Sequence, residues 1–254
     1  MEAVVKYARV YAYVNEDFRK TPLTSATTAD EVCVRLAKEF GIGPRARQLF
    51  SLRLRGGKNV WFSPGSRLCE ARPDSDYEFR LRFKVPDLER LKRTDIKAYD
   101  YYFHQVRSDL VNNKIPDISY ERYKSEVVGL GVADMYRVML EKGLNRQAVE
   151  NNYKKYMPKE VIKHHLFFLK KPIHETLSKI KKDCRHDAWY VKSVYLKQFE
   201  DMAANYPCEE FKALMDEAGS VKTIWLRVIP FHDIFPGVSY RYDEKKEVGS
   251  GFLM

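Results

Sequence analysis

The sequence predicts an α+β protein made of three successive lobes. Residues 1–86 carry several β-type runs and one capped helix, residues 95–216 carry helical patterns, and residues 220–254 return to β character. The chain has 254 residues, of which 44% are hydrophobic and 13% aromatic, so it can bury a sizeable core. The third segment holds only two predicted strands, which cannot form a core alone. We therefore expect a β-rich third lobe that has begun and is cut off.

The helix of the first lobe is predicted from TADEVCVRLAKEFGIGP, residues 28–44. Thr28 and Glu31 have the spacing of a capping box, in which each side chain bonds the other residue's backbone N–H. Apolar side chains then recur at every fourth position: Val32, Leu36 and Phe40. Gly41 suits the left-handed position that ends a helix, and Pro44 prevents its continuation. The pattern predicts one short amphipathic helix whose apolar face lies on a sheet.

β-type runs surround this helix, at 3–14, 21–27, 48–54, 59–62 and 77–85. In the last run Phe79, Leu81 and Phe83 alternate with charged residues, which is the period of a strand. The order is therefore strand, strand, helix, strand, short strand, strand. A single helix across one face of a mixed sheet in this order is the ubiquitin-like β-grasp arrangement, which we predict for residues 1–86.

The second lobe is predicted to be all-helical, with helices over 98–111, 125–143, 145–157, a run from 158 onward, and 189–206. Pro172 is expected to interrupt the run that starts at 158. Residues 209–215 are predicted to add one or two helical turns. Strands are predicted again at 221–229 and 237–243.

Catalytic, metal-binding and cofactor-binding residues are not predicted in this chain. The cysteines, at 33, 69, 184 and 208, include no C-x-x-C pair, and the adjacent His164 and His165 point to different sides of a helix. The kinase motifs HRD and DFG are missing. The GLGVAD segment, 129–134, lies inside a helical pattern, so we expect close helix packing at Gly129 and Gly131 rather than a nucleotide loop. Cys33, beside the apolar face of the first helix, is expected to be a packed core thiol.

The charge pattern predicts an anionic partner. The formal net charge is +10. Ten cations fall within about thirty residues, opposed by Glu160, Glu175 and Asp183: Lys154, Lys155, Lys159, Lys163, Lys170, Lys171, Lys179, Lys181, Lys182 and Arg185. This cluster is either a solvated helix face or a landing surface for acidic lipid or an acidic peptide. Nucleic acid is not predicted, since no binding motif accompanies the charge.

No apolar run reaches the roughly 18 residues of a membrane span, and we expect an intracellular protein with reduced thiols.

Several segments together resemble one protein family. ADEVCVRLAKEFGIGP, QLFSL, VWFSPGSRL and YEFRLRF are similar to the first lobe of a FERM domain of the Janus tyrosine kinase type. YYFHQVRSDLV, SEVVGLGVADMYRV, YMPKEVI and WYVKSVYLKQFEDM resemble its helical lobe. One departure is that the helix after YMPKEVI has Lys, His and Pro172 where Janus kinases usually carry an Arg series. The segment LKQFEDMAANYPCEEF is also similar to the FERM domain of focal adhesion kinase, and a membrane–cytoskeleton linker is a further alternative.

The resemblance implies a non-catalytic targeting module and a pleckstrin-like third lobe. ATP and magnesium would belong only to a downstream kinase domain, with which the module would make intramolecular contact. The implied partners are the juxtamembrane cytoplasmic tail of a cytokine receptor and the inner face of the plasma membrane or an endomembrane. The candidate receptor-peptide residues are Leu166, Phe167, Phe168 and Lys163, although core packing of the aromatic residues is an open alternative. The candidate acidic-membrane residues are Lys170, Lys171, Lys179, Lys181 and Lys182.

Overall fold

The computed structural model describes residues 6–14, 17–56, 60–71, 75–85, 87–115, 118–180, 186–207, 210–229, 237–242 and 250–253. The chain divides into two compact units. The first comprises Met1–Gln105 and Pro207–Met254, and the second comprises Val106–Tyr206.

In the first unit the elements are β1 (Lys6–Tyr11), β2 (Phe18–Leu23), α1 (Ala29–Glu39), α2 (Pro44–Arg47), β3 (Phe50–Leu54), α3 (Leu68–Ala71), β4 (Asp76–Leu81) and α4 (Leu88–Thr94). Helix α5 (Ile96–Val111) begins in this unit and ends in the second. The second unit adds α6 (Lys124–Lys142), α7 (Arg146–Asn151), a 3₁₀ turn (Tyr153–Lys155), α8 (Lys159–Lys179) and α9 (Ala188–Met202). The strands β5 (Glu210–Glu217), β6 (Ser220–Ile229), β7 (Gly237–Tyr242) and β8 (Ser250–Leu253) belong to the first unit.

The first four strands form one mixed sheet in the order β2-β1-β4-β3. β1 is antiparallel to β2 and parallel to β4, and β3 is antiparallel to β4. Helix α1 packs on this sheet, and its Val32 and Leu36 are buried, as are Leu52 and Phe79 of the strands. Burying a Leu or Phe contributes roughly 1.5–3 kcal/mol, so this helix–sheet contact supplies the core of the lobe. The predicted ubiquitin-like arrangement is confirmed.

The predicted caps of α1 are also confirmed. The Glu31 N–H donates to Thr28 Oγ1 (3.3 Å), and the Thr28 N–H donates to Glu31 Oε2 (3.1 Å). At the other end Gly41 has φ +70°, a conformation that costs glycine little. The following Ile42 N–H donates to the Ala37 carbonyl at 2.8 Å, which is the bonding expected where a left-handed residue ends a helix.

The strand predicted over 59–62 is shorter than expected. Residue 59 lies outside the described residues, and within 60–62 the strand is reduced to a single bridge between Trp61 and Arg53. The Phe62 N–H still donates to the Leu52 carbonyl at 3.0 Å. Pro64 follows almost at once and has no N–H with which to extend the ladder, so the pairing ends there.

Two charged side chains of β4, Glu78 and Arg80, are buried. Glu78 accepts a hydrogen bond from Arg53 Nη2 at 2.6 Å and lies 3.7 Å from Arg80 Nη1. Arg80 also donates to the Tyr13 hydroxyl. Buried charges are tolerated when they are paired and hydrogen-bonded, so the alternation that predicted this strand does not place its charged side chains in water.

The start of α5 is bonded to the centre of this sheet. The Tyr101 hydroxyl donates to the Phe79 carbonyl at 2.6 Å, and burial raises the pKa of Tyr101 well above its ordinary value. One turn later, Gln105 Nε2 donates to the Leu81 carbonyl (3.0 Å) and Gln105 Oε1 accepts from the Leu81 N–H (2.8 Å). These side chains satisfy backbone groups at the end of β4 that would otherwise be buried without partners.

In the second unit, a buried ion network centres on Asp134 of α6, which is 1% exposed. Arg107 of α5 donates through Nε to Asp134 Oδ2, and Arg137 Nη2 lies 2.7 Å from Asp134 Oδ1. Arg107 Nη2 also donates to the Lys155 carbonyl at 3.2 Å. The network therefore joins α5, α6 and the 3₁₀ turn. Burial alone would raise the pKa of Asp134, but the two guanidinium groups outweigh it and hold that pKa below its ordinary value.

The network extends to α9 through Glu141. Its carboxylate accepts from Arg137, and the Lys192 Nζ of α9 lies 2.6 Å from Glu141 Oε1. Lys192 is itself buried. Ion pairs therefore reinforce the contact between α6 and α9, where Leu130 and Leu196 are fully buried.

Close helix packing is confirmed at Gly131 and absent at Gly129. A Cβ at Gly131 would lie 2.5 Å from Met157 Sδ and 2.8 Å from the Tyr156 carbonyl oxygen. A Cβ at Gly129 would have no atom within 4 Å. Only Gly131 is therefore required for the approach of the segment that precedes α8.

The last strands form a second sheet, an antiparallel meander in the order β5-β6-β7-β8. The strands predicted at 221–229 and 237–243 correspond to β6 and β7. The helical turn predicted at 209–215 is wrong, since β5 occupies Glu210–Glu217, inside the range assigned to the helical lobe. Phe211, Ala213 and Met215 alternate along β5, and the first two pair with Leu226 and Ile224. Pairing with an apolar neighbouring strand overrides the weak local helical pattern.

The Asp134 network yields a prediction about acid stability. Asp134→Asn should lower the free energy of unfolding at neutral pH by roughly 3–5 kcal/mol, because it leaves buried guanidinium groups without their counter-charge. Since the folded pKa lies below the ordinary value of about 3.9, the carboxylate stabilises the fold above that value. That stabilisation is lost as the pH falls through the folded pKa. The free energy of unfolding measured with urea should therefore fall on acidification more steeply for the parent chain than for the variant.

Asp201→Asn, at an exposed position on α9, is the matched control and should follow the parent profile. Equal acid slopes for the parent and Asp134→Asn would contradict the assigned role of the network.

The two glycines of α6 give a second, paired prediction. Gly131→Ala should destabilise the chain by roughly 1–3 kcal/mol, because a backbone carbonyl must move to admit the methyl group. Gly129→Ala should instead stabilise it by roughly 0.5–1 kcal/mol, because alanine favours an exposed helix. The Tm values of both variants, measured by thermal unfolding, give the difference. Equal shifts of Tm with the same sign would show that the packing at Gly131 is not tight.

Candidate functional site

Helix α8, which carries the predicted binding residues, is bent at His165. This residue has φ −132° and ψ 18°, which are not helical values, and its Nδ1 lies 3.2 Å from Lys124 Nζ of α6. The predicted interruption at Pro172 is wrong, because Pro172 lies within the helical second half. The N–H that proline lacks would have bonded the Phe168 carbonyl. Phe168 is largely exposed, so water can bond that carbonyl instead.

The second half of α8 has one buried and one exposed face. Leu169, Ile173 and Leu177, each four residues apart, are buried in the helical lobe. On the opposite side, Phe168 is 76% exposed and the Lys171 side chain is 86% exposed. An exposed phenylalanine beside exposed lysines is a surface feature and contributes nothing to the core of this lobe.

An open groove of about 860 Å³ lies between α8 and the segment formed by α7 and the 3₁₀ turn. Its lining residues come from both sides: Glu150, Asn151, Tyr153, Lys154, Lys170, Lys171, Ile173 and His174. Tyr153 and Ile173 are buried and form its base, and the three lysines are exposed and form its rim. The groove therefore combines an apolar base with a cationic edge.

The carboxylate in this lining is already paired. Glu150 Oε1 accepts from Arg146 Nε at 2.8 Å and lies 3.3 Å from His174 Nδ1. Arg146 Nη2 also lies 3.1 Å from both ring nitrogens of His174. Because Arg146 offsets Glu150, the charge presented by the groove is that of its lysines, and the groove favours anionic or acidic ligands.

No metal-binding cluster of three or more His, Cys, Asp or Glu residues occurs in the described part of the chain. Cys33 is buried on α1, as predicted, and burial together with the charge of Asp30 raises its pKa to about 12. Among the described residues, no helix is long and apolar enough to cross a membrane.

Comparison with known families identifies the chain. Residues 8–93 match the FERM F1 ubiquitin-like domain, and residues 92–202 match the FERM F2 acyl-CoA binding protein-like domain. The chain belongs to the FERM family. Its first lobe is thus an F1 lobe, its helical lobe an F2 lobe, and α8 with its groove lies in F2.

Among curated proteins, this FERM chain is similar to Janus kinases. It is 28% identical over 218 residues to the tyrosine-protein kinase hopscotch of Drosophila melanogaster, covering 80% of this chain and 18% of that protein. It is 26% identical over 207 residues to the tyrosine-protein kinase JAK3 of Rattus norvegicus, covering 72% and 19% respectively. The chain thus spans about a fifth of the length of these relatives.

Solved FERM structures share the fold at low identity. The FERM and C-terminal domain complex of Drosophila Merlin superposes with a TM-score of 0.65 at 14% identity, covering 98% of this chain and 79% of that one. The MyTH4-FERM MF2 domain of Dictyostelium discoideum myosin VII gives 0.63 at 14% identity, covering 99% and 50%. These matches extend beyond the F2 lobe, and they are consistent with a FERM fold that continues into the second sheet.

The predicted site residues of the FERM chain fall into three groups. Lys170 and Lys171 line the groove, whereas Lys163 and Lys179 are exposed elsewhere on α8. Phe168 is exposed, so core packing is wrong for this aromatic residue. Leu166 and Phe167 lie in the helical backbone of α8, but their side chains are outside the described part of the structure. Lys181 and Lys182 also lie outside the described residues.

Sequence reasoning missed the opposite wall of the groove. Lys154 appeared in the charge cluster, but nothing placed it opposite Lys170, which is 16 residues later. The available signal was the pair of tyrosines, Tyr153 and Tyr156, that flanks Lys154 and Lys155, since aromatic residues in a lysine-rich turn indicate that the turn packs on a neighbour.

The pKa of Cys33 gives a prediction about reactivity. At about pH 8 an ordinary thiol is partly ionised, whereas a thiol of pKa about 12 is ionised in roughly one molecule in ten thousand. Iodoacetamide should therefore leave Cys33 unmodified in the folded chain and label it in urea, as measured by peptide mass spectrometry. Rapid labelling of Cys33 without denaturant, at the rate of a model thiol, would contradict the buried position.

Proposed function

We propose that this chain is the non-catalytic FERM targeting module of a Janus-type non-receptor tyrosine kinase, acting in the cytoplasm at the inner face of a membrane. The observation that carries the proposal is the similarity to hopscotch and JAK3, which runs through both F1 and F2. The similarity to Merlin and myosin VII is lower in identity and supports the fold alone.

The proposed protein partner is the juxtamembrane cytoplasmic tail of a cytokine receptor, through a proline- and leucine-containing segment. The groove on F2 supports this proposal, because an apolar base gives affinity for apolar anchors and a cationic rim gives orientation. Leu166, Phe167, Phe168 and Lys163 remain the sequence-predicted peptide residues, and the groove adds Tyr153 and Ile173 as the surface on which an anchor would rest.

The proposed second partner is the acidic leaflet of the plasma membrane or an endomembrane. Lys170, Lys171 and Lys179 are exposed on α8 and supply the charge, with Lys181 and Lys182 added from the sequence. Near an anionic leaflet each lysine contributes about 1 kcal/mol, and the attraction fades within a Debye length of about 8 Å at physiological salt. The membrane would therefore concentrate the module, while the groove would select the receptor.

The remainder of the relatives' length leaves room for a kinase region, which in our proposal follows this module. ATP and magnesium would act only there, and the module would make intramolecular contacts with it. The proposed role of the present chain is thus to determine where that kinase acts.

The membrane partner is tested by charge reversal. The double variant Lys170→Glu, Lys171→Glu removes two favourable lysines, so binding to phosphatidylserine-containing vesicles should fall at least thirtyfold, which corresponds to about 2 kcal/mol. The double variant Lys142→Glu, Lys197→Glu changes the net charge equally at exposed positions outside the groove lining, and it should retain most of the binding. Co-sedimentation measures the vesicle arm, and circular dichroism checks the fold.

The receptor arm uses a fluorescent peptide with the proline- and leucine-containing juxtamembrane sequence. Raising salt should weaken vesicle binding steeply and peptide binding only modestly, because apolar anchors are not screened. If both double variants lose vesicle binding equally, the attraction is non-specific and the membrane part of the proposal is lost. Failure of the parent chain to bind any such receptor peptide would remove the receptor part.

A further inference from the structure

Phe168 stands apart from the groove. It is not among the groove-lining residues, whereas Lys170, Lys171 and His174 on the same helix are. At 3.6 residues per turn, Phe168 lies roughly 160° around α8 from Lys170. Phe168 is only about 60° from Lys171 on the groove rim, so the ring lies just outside the groove lining, although the sequence placed Phe168 in the peptide-binding set.

Phe168 instead belongs to an outer stripe of α8. The stripe runs at intervals of three, four and four residues and consists of Phe168, Lys171, Glu175 and Lys179. Its members are all exposed and lie on the side opposite the buried Leu169, Ile173 and Leu177. The stripe spans twelve residues, and its first and last members are separated by roughly 17 Å along the helix at 1.5 Å per residue.

The chemistry of the stripe matches a lipid interface. An aromatic ring on a helix with flanking lysines is the combination by which interfacial helices bind, since the ring enters the acyl boundary while the ammonium groups remain among the phosphates. Lys171 is free to reach outward, with 86% of its side chain exposed and only a 4.0 Å approach to Glu175 Oε1. Glu175 opposes binding, and that approach partly offsets it.

Bilayer insertion also accounts for an otherwise unfavourable exposure. Phe168 is 76% exposed, so it leaves most of an apolar ring in water and gains little packing within this chain. A receptor peptide in the groove would cover it only by extending over the rim past Lys171. The neighbouring cations favour an anionic covering surface, and a bilayer supplies both an anionic surface and an apolar layer beneath it.

We infer that Phe168 is a membrane anchor, whose ring inserts below the headgroups of an anionic bilayer while Lys171 and Lys179 contact lipid phosphates. This inference rests on the membrane part of the proposed function and deepens it. The lysines give long-range, salt-sensitive attraction. The ring adds a short-range contribution that salt does not screen, and it fixes which face of F2 lies on the membrane.

The test uses the whole chain and vesicles of mixed phosphatidylcholine and phosphatidylserine. Phe168→Ala should weaken partitioning about tenfold, and the loss should persist when salt is raised, because the ring's contribution is apolar. Leu214→Ala removes a side chain of similar exposure, 73%, on strand β5 and should leave partitioning unchanged. Glu175→Gln should strengthen partitioning by severalfold.

Insertion itself is measured by the tryptophan fluorescence of the variant Phe168→Trp. Its added emission, relative to the parent with Trp61, Trp189 and Trp225, should shift to shorter wavelength on vesicles and be quenched by lipids brominated in the acyl chain. Phe168→Trp should also retain the parent's partitioning.

The outcomes distinguish this inference from the proposed function. If the parent binds vesicles, Phe168→Ala binds equally well and the added tryptophan is not quenched, the lysine surface stands and the anchor is refuted. If Phe168→Ala weakens the receptor peptide and leaves vesicle binding intact, Phe168 belongs to a peptide site, and the anchor is again refuted. If the parent does not bind anionic vesicles at low salt, the membrane part of the proposed function and this inference fail together. Peptide binding is then decided separately by the measurement with the fluorescent receptor peptide.

Discussion

The buried carboxylate of Asp134 is the constraint on which the helical lobe depends. It holds Arg107, and the same guanidinium group donates to the Lys155 carbonyl at the end of the 3₁₀ turn. That turn carries Tyr153 and Lys154, which form one wall of the groove. The position of an exposed lysine is thus determined by a charge in the interior, and a lobe with an apolar residue at 134 would lack the acceptor that holds the Arg107 guanidinium group against the turn.

The groove is built from two walls of different origin. One wall depends on Asp134 and on the close approach of the segment around Met157 to Gly131. The other is the second half of α8, which begins after the bend at His165 and is held by Leu169, Ile173 and Leu177. A binding surface on F2 therefore arises where the bent helix α8 passes the 3₁₀ turn, which the buried Asp134 and Arg107 hold in place. The lysines are placed by these two supports, and no pattern within the lysine-rich segment encodes their convergence.

Local chemistry made much of the F1 lobe predictable. The capping pair Thr28 and Glu31 and the left-handed Gly41 act within a few residues, so their effect can be read directly from the sequence. By contrast, Arg53 bonds Glu78 and Arg107 bonds Asp134 from 25 and 27 residues away. A single sequence contains no measure of such distances. Strand β5 was missed for a related reason, because what selects the extended state is pairing with β6, an interaction outside the local segment. The exposed lysines were predictable as charges, whereas the separation of Phe168 from the groove required the orientation of α8.

The bonds of Tyr101 and Gln105 to β4 bear on where this FERM chain can be divided. Residues 96–105 belong to the same compact unit as the first sheet, although sequence patterns change near residue 86. A fragment that stops at the change of pattern would leave the Phe79 and Leu81 backbone groups without their partners and would expose aromatic rings that Tyr101 now covers. Shuffling of lobes between FERM proteins, in evolution or in the laboratory, would therefore have to carry the first part of α5 along with F1. The unit of inheritance for the first lobe is longer than its ubiquitin-like fold.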